Sequence, residues 1–235
     1  TLFRSNIIII LAALVLTPFY SISQGTNKRD ANGMKEGPYV KSYENGKKKY
    51  QGQFKNDKPY GTFTYYFNTG DTSAIVEYSD NGIIANTTTY YKSGNIMAEG
   101  VYFNKKKEGN WKYFIDEDKN PIISSETYKD GTLEGESITY YPDNGQPAEV
   151  IVYSNDKKNG KLFKYFQDGI LMTESYYVDG KPHGAFLHYH PDGELQIRGN
   201  YHYGVQSDNW DYYDENGKRV SEEEFLKQDK VSEIK

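Results

Sequence analysis

A period of about 24 residues runs through this chain and constrains its fold more than any other feature. Six glycines mark it, Gly37, Gly61, Gly109, Gly135, Gly160 and Gly184, with Ala85 and Asp208 standing in the two gaps. Successive markers are 24, 24, 24, 26, 25, 24 and 24 residues apart. Seven residues before a marker stands an aromatic: Phe54, Tyr78, Tyr102, Tyr128, Tyr153, Tyr177 and Tyr201. Five residues after it stands another: Tyr66, Tyr90, Phe114, Tyr140, Tyr165, Tyr189 and Tyr213. The first unit alone departs, with Asp30 and Ser42. Eight units fill residues 30–220.

Each unit carries a turn signal in its middle, such as "ENGK" (44–47), "NTGD" (68–71), "QDGI" (167–170) and "PDGE" (191–194). Asn-Gly and Asp-Gly favour tight hairpin turns because both residues tolerate positive φ. The two over-length steps arise where this turn swells, to "IDEDKN" (115–120) and "YPDNG" (141–145), so both extensions are expected on one edge. Between turns lie stretches of six to eight residues rich in Tyr, Thr, Val and Ile, and none shows a 3.6-residue apolar period. The expected fold is therefore all-β: an elongated single-layer antiparallel meander of about eight repeated β-hairpins. Its roughly sixteen strands, ~4.8 Å apart, make a twisted ribbon about 75 Å long. Ser221 and Glu224 form a capping box, so residues 221–235 are expected to hold a short capping helix and tail, with Phe225 and Leu226 as its apolar face.

Strand parity assigns the side chains to faces. The regular fifth-position aromatics are expected to form a structural ladder on one face. The second and fourth positions point the other way and vary: Phe63 and Tyr65, Thr87 and Thr89, Trp111 and Tyr113, Ser137 and Thr139, Trp210 and Tyr212. A variable face on a regular frame is where repeat proteins keep their specificity; the alternative is that it merely covers a thin sheet. The six aromatics Trp111, Tyr113, Phe63, Tyr65, Trp210 and Tyr212 are the candidate partner-binding residues. Trp111 and Tyr113, beside the longest insertion, are its expected centre.

Composition narrows the chemistry. Of 235 residues, 24 are Tyr and 11 Phe, which suits a thin architecture in which ring faces are buried and hydroxyls stay wet. A formal charge of −5 argues against a nucleic-acid partner, which needs a basic stripe. The absence of Cys excludes disulfides and zinc–thiolate sites. His188 and His190 stand at i, i+2 with Asp192 and Glu194 nearby, but surface histidines are the expected reading and no metal or other cofactor is expected. The nucleophile, P-loop and metalloprotease motifs are all missing, so no enzyme is expected.

Residues 1–23 differ in kind. Arg4 precedes the apolar run "IIIILAALVL" (7–16), and Ser21 and Ser23 are the small residues before Gln24. This is the layout of a secretory signal peptide, too short to span a bilayer comfortably, with a retained anchor as the alternative. Export to the periplasm, cell surface or beyond is expected, with no membrane span after cleavage and 24–29 as a short linker.

The units "YVDGKPHGAFLHY" (177–189) and "YKDGTLEGESITYY" (128–141) resemble the MORN-repeat variant, in the bacterial group known as YwqK-type antitoxins. The resemblance implies a non-catalytic hairpin array that binds partners, in an antitoxin or immunity role. A protein partner is the expectation. A glycan stacked on exposed Trp and Tyr is the alternative.

Overall fold

A computed structural model describes residues 25–207 and 209–232. The apolar segment read as a signal peptide lies outside them. Among the described residues the chain is a single antiparallel meander closed by one helix. The first half comprises β1 (Gly37–Ser42), β2 (Lys48–Lys55), β3 (Lys58–Tyr66), β4 (Thr72–Ser79), β5 (Ile84–Tyr90), β6 (Ile96–Phe103), β7 (Lys106–Phe114) and β8 (Ile122–Lys129). The second comprises β9 (Thr132–Tyr140), β10 (Pro147–Ser154), β11 (Lys157–Tyr165), β12 (Leu171–Val178), β13 (Lys181–Pro182), β14 (Gly184–Tyr189), β15 (Leu195–His202), β16 (Val205–Gln206), β17 (Asp211–Tyr213) and β18 (Arg219–Val220). Strand follows strand across the sheet in sequence order, and the sheet stays open. β13 and β14 are two pieces of one strand pass, as are β16 and β17, so the eighteen strands make the sixteen passes that the period requires.

The two long edges carry different turns. On one edge lie two-residue turns whose residues both have positive φ: Asn56-Asp57, Asn104-Lys105, Asp130-Gly131, Asn155-Asp156, Asp179-Gly180 and Tyr203-Gly204. These have the type I′ geometry that matches strand twist. The mid-unit "NG" and "DG" signals lie on the other edge, where the glycine has positive φ and the Asn or Asp before it does not; in the swollen turn that lacks glycine, Lys119 and Asn120 take positive φ instead. Phe67 and Asp71, for example, close a longer turn around Gly70, with the Gly70 N–H donating to the Phe67 carbonyl at 2.9 Å. The tight-turn signature thus belongs to the edge opposite the one expected. Both swollen turns do lie on a single edge, between β7 and β8 and between β9 and β10.

The marker glycine has a mechanical task. Across β2 and β3 the pairing runs Gln53↔Tyr60 and then Gln51↔Thr64, so three residues, 61–63, oppose Gly52 alone. Gly61 makes this bulge by adopting a φ of 64°, and the same two-residue shift recurs at Gly109, Gly135 and Gly160. In the third unit Ala85 replaces the glycine. The β4–β5 ladder there is regular from end to end, and the displaced residues lengthen the turn into Asp80–Ile83.

The bulge lays the second-position ring across the neighbouring strand. A Cβ on Gly52 would lie 2.4 Å from the Phe63 ring, and one on Gly100 or Gly199 would lie 2.3 Å from Trp111 or Trp210. These rings rest directly on bare backbone. The edges of the aromatics seven positions before the markers close in from the side: Phe54 and Tyr78 are T-shaped to Phe63 at 5.2 and 5.1 Å, Tyr102 to Trp111 at 4.9 Å, and Tyr201 to Trp210 at 5.2 Å. The second-position row is therefore the core, with Phe63 1% and Trp111 2% exposed and Leu162 also buried. The expected structural ladder of fifth-position rings is, by contrast, only half-buried on the opposite face.

Both ends of the sheet are covered. Asn27, within the stretch read as a linker, lies along the free edge of β1: its N–H donates to the Pro38 carbonyl and its Oδ1 accepts from the Val40 N–H. At the other end α1 (Glu222–Ser232) follows the capping box, in which the Ser221 N–H donates to Glu224 Oε2 and the Glu224 N–H to Ser221 Oγ. Phe225 is buried against Tyr212, with ring centroids 5.2 Å apart, whereas Leu226 stays exposed and adds nothing to the expected apolar face.

Candidate functional site

The packed row loses its large side chain in two places. In the fifth unit Ser137 faces Glu126, a polar pair. In the third unit the second position holds Thr87 instead of a ring, and its counterpart eleven residues earlier is Val76 instead of glycine. Small side chains surround this second pair, with Ala74, Ala85 and Ala98 all on this face. The result is an apolar trough of about 390 Å³ between two aromatic clusters. Tyr65 and Tyr78 form one wall, their hydroxyls 3.1 Å apart, and Tyr102 forms the other. Burial comes first among the causes that raise the Tyr65 pKa well above the ordinary phenol value, followed by the hydrogen bond to Tyr78.

Beside the trough, the fourth unit builds a polar cluster on the same face. Lys107 Nζ donates to Tyr113 Oη at 2.5 Å and to Tyr128 Oη at 3.4 Å, and lies 4.9 Å from the centroid of the Trp111 ring. Tyr128 in turn donates to Glu126 Oε2 at 2.6 Å. Burial, then the hydrogen bond to Glu126, pushes the Tyr128 phenol up to about 12. Burial is also the main cause of the rise at Tyr113. This cation, enclosed by three rings and two hydroxyls, fixes their relative orientation.

The six candidate partner-binding residues share this face but do not share an environment. Phe63 and Trp111 are buried and leave almost no ring surface open, and the Trp111 indole N–H is already donated to the Val101 carbonyl at 3.1 Å. Tyr65 and Tyr113 are half-buried and border the trough and the lysine cluster. Trp210 and Tyr212 lie far along the array, with Tyr212 under the helix. The Trp210 indole N–H is buried without a hydrogen-bond partner, unlike that of Trp111. Sequence reasoning did not single out Tyr78, Tyr102, Val76 and Thr87. The signal that identifies them is the covariation at i and i+11, where glycine goes with a ring and Val with Thr.

His188 pairs through Nδ1 with the Thr173 hydroxyl at 2.9 Å, His190 begins the next turn, and His183 stacks near His202 and Tyr203. Among the described residues no group of three or more His, Asp or Glu side chains is placed to hold a metal ion. No described helix is long and apolar enough to cross a membrane.

Comparison with known proteins returns the repeat. A family model described as MORN repeat variant matches residues 35–56 and 182–203, in the first and seventh units. No curated protein matches the chain. Among solved structures, the chain is similar over 52% of its length to a mutant of S. aureus TarM in complex with Fondaparinux, alpha-GlcNAc-glycerol and UDP, at 12% identity and a TM-score of 0.25. It is also similar over 79% of its length to the TcdB2-TccC3 structure, at 11% identity and a TM-score of 0.23. The chain spans 19% and 13% of those two proteins.

Proposed function

We propose that this chain is an exported, non-catalytic repeat scaffold that grips a protein partner at the trough of the third unit. The observation that carries the reading is the missing ring. Units two, four, seven and eight supply their own aromatic at the second position, whereas here two ring clusters flank a floor of Val, Ala and Thr. A partner's apolar side chain entering the trough would bury surface against Tyr65, Tyr78 and Tyr102, the kind of pre-formed pocket in which binding hot spots sit. The lysine–tyrosine cluster of the fourth unit adjoins the pocket through Tyr102, whose ring packs against Trp111. The apolar run at 7–16 supports export, and two matches to the MORN repeat variant support the scaffold class. In the immunity form of this reading, which the YwqK resemblance suggests, the partner is a toxin.

The test replaces the Val–Thr floor of the trough with a ring, using the pair that the chain itself uses elsewhere. Val76→Gly with Thr87→Phe imports the glycine–ring pair seen at Gly52 and Phe63. The double variant is expected to keep the β-sheet circular dichroism spectrum while losing the partners that the unaltered protein retains from an envelope extract. Recovery of the same partners by both proteins would overturn the proposal, and binding on a glycan array alone would favour the sugar reading instead.

A further inference from the structure

The face of the sheet opposite the core changes character along its length. Its third-position row is polar in units two to four, with Thr64, Thr88 and Lys112, and apolar in units five to seven, with Ile138, Phe163 and Leu187. Around β10 the apolar stretch is continuous: Val150 is the direct cross-strand neighbour of Ile138 on one side and Phe163 on the other. The helix packs at the far end and on the core side, against Tyr212, so it does not cover this patch.

Two of the charges bordering the patch are of opposite sign and lie on opposite sides of β10; a third, Glu174 on β12, is the cross-strand neighbour of Phe163. Glu136 on β9 pairs with Val152, and Lys161 on β11 lies two residues from Phe163 with its Nζ over that ring, 5.6 Å from the centroid. Both charged residues are exposed. A two-fold axis parallel to β10 would bring β9 of one copy over β11 of the other at the same height. Val150 then meets Val150, Ile138 meets Phe163, and Glu136 meets Lys161 twice, once on each side. An axis across the strands would not join these charges.

We propose that this patch is the contact between two copies of this chain, which pack face to face about β10. The sheets would lie ~10 Å apart, as in aligned β-sandwiches, and the interface is isologous. It is independent of the trough, which lies on the other face.

Sedimentation equilibrium on the full chain tests it. A reversible dimer is expected, and a protein that stays monomeric at every concentration overturns the proposal. Val150→Asp places a carboxylate opposite its own copy and is expected to leave only monomer. Because that variant could also disturb the sheet, the charge pair supplies a second arm. Glu136→Lys alone should weaken the dimer at least tenfold by setting lysine against lysine, and adding Lys161→Glu should restore it. A dimer that ignores both changes overturns the geometry.

Discussion

At the scale of single residues, the chain replaces a thick core with rings laid on glycine. Adding one methyl group at Gly100 forces the Trp111 ring off the strand, because the new carbon would lie 2.3 Å from it. Gly100→Ala should therefore cost ~1–3 kcal/mol, the usual range for overpacking. Trp111→Ala should cost ~3–5 kcal/mol, as for other buried aromatics. Since the two residues form one contact, the double variant should lose less than the sum, which urea titration of all three proteins would show. The tyrosines set a second expectation. Tyr128 and Tyr113 have folded pKa values raised by burial. Above pH ~10 the unfolded chain loses phenol protons that the folded chain still holds, so stability should be flat below that point and fall as pH rises towards 12. Tyr128→Phe should flatten part of that decline; an unchanged alkaline midpoint would show that Tyr128 does not contribute.

At the scale of elements, the turns decide the register and the bulges absorb what the turns cannot. Lys105 sits at φ 66° in a two-residue turn, a conformation that costs a residue with a Cβ about 1 kcal/mol. Lys105→Gly should recover much of this and raise the melting temperature, whereas a drop would mean that the lysine stem packs on the trough more than the backbone strains. The period, the strand passes, the capping box and the shared edge of both swollen turns were legible in the sequence, because each depends on local spacing. The assignment of faces was not. Regularity at the fifth position suggested a structural spine, but the packed row sits at the second position and varies by compensation: Gly with Phe or Trp, Val76 with Thr87, Ile151 with Leu162. The pair that fills the row changes from unit to unit, so no single column of the repeat looks like a core. The trough is legible only once residues eleven apart are known to touch.

At the scale of the whole molecule, each hairpin leans on its two neighbours. Stability in such an array is close to a sum of local terms, and damage should stay local. Truncation after Val220 removes Phe225 from Tyr212. Amide exchange should then rise in β17 and β18 while β7 to β11 keep their protection. Uniformly faster exchange would instead show that the sheet melts as one body.

The seating of rings on glycines also says where this chain can be cut and copied. Gly52 and Phe63, like Gly100 and Trp111, belong to strands joined by a two-residue turn, so a duplication whose ends fall in those turns would part each ring from its seat. Ends placed in the longer turns keep every seat intact and carry both halves of the contact together. The natural unit of growth by gene duplication thus runs from one long turn to the next, about half a period out of step with the unit that the glycine-marked motif suggests.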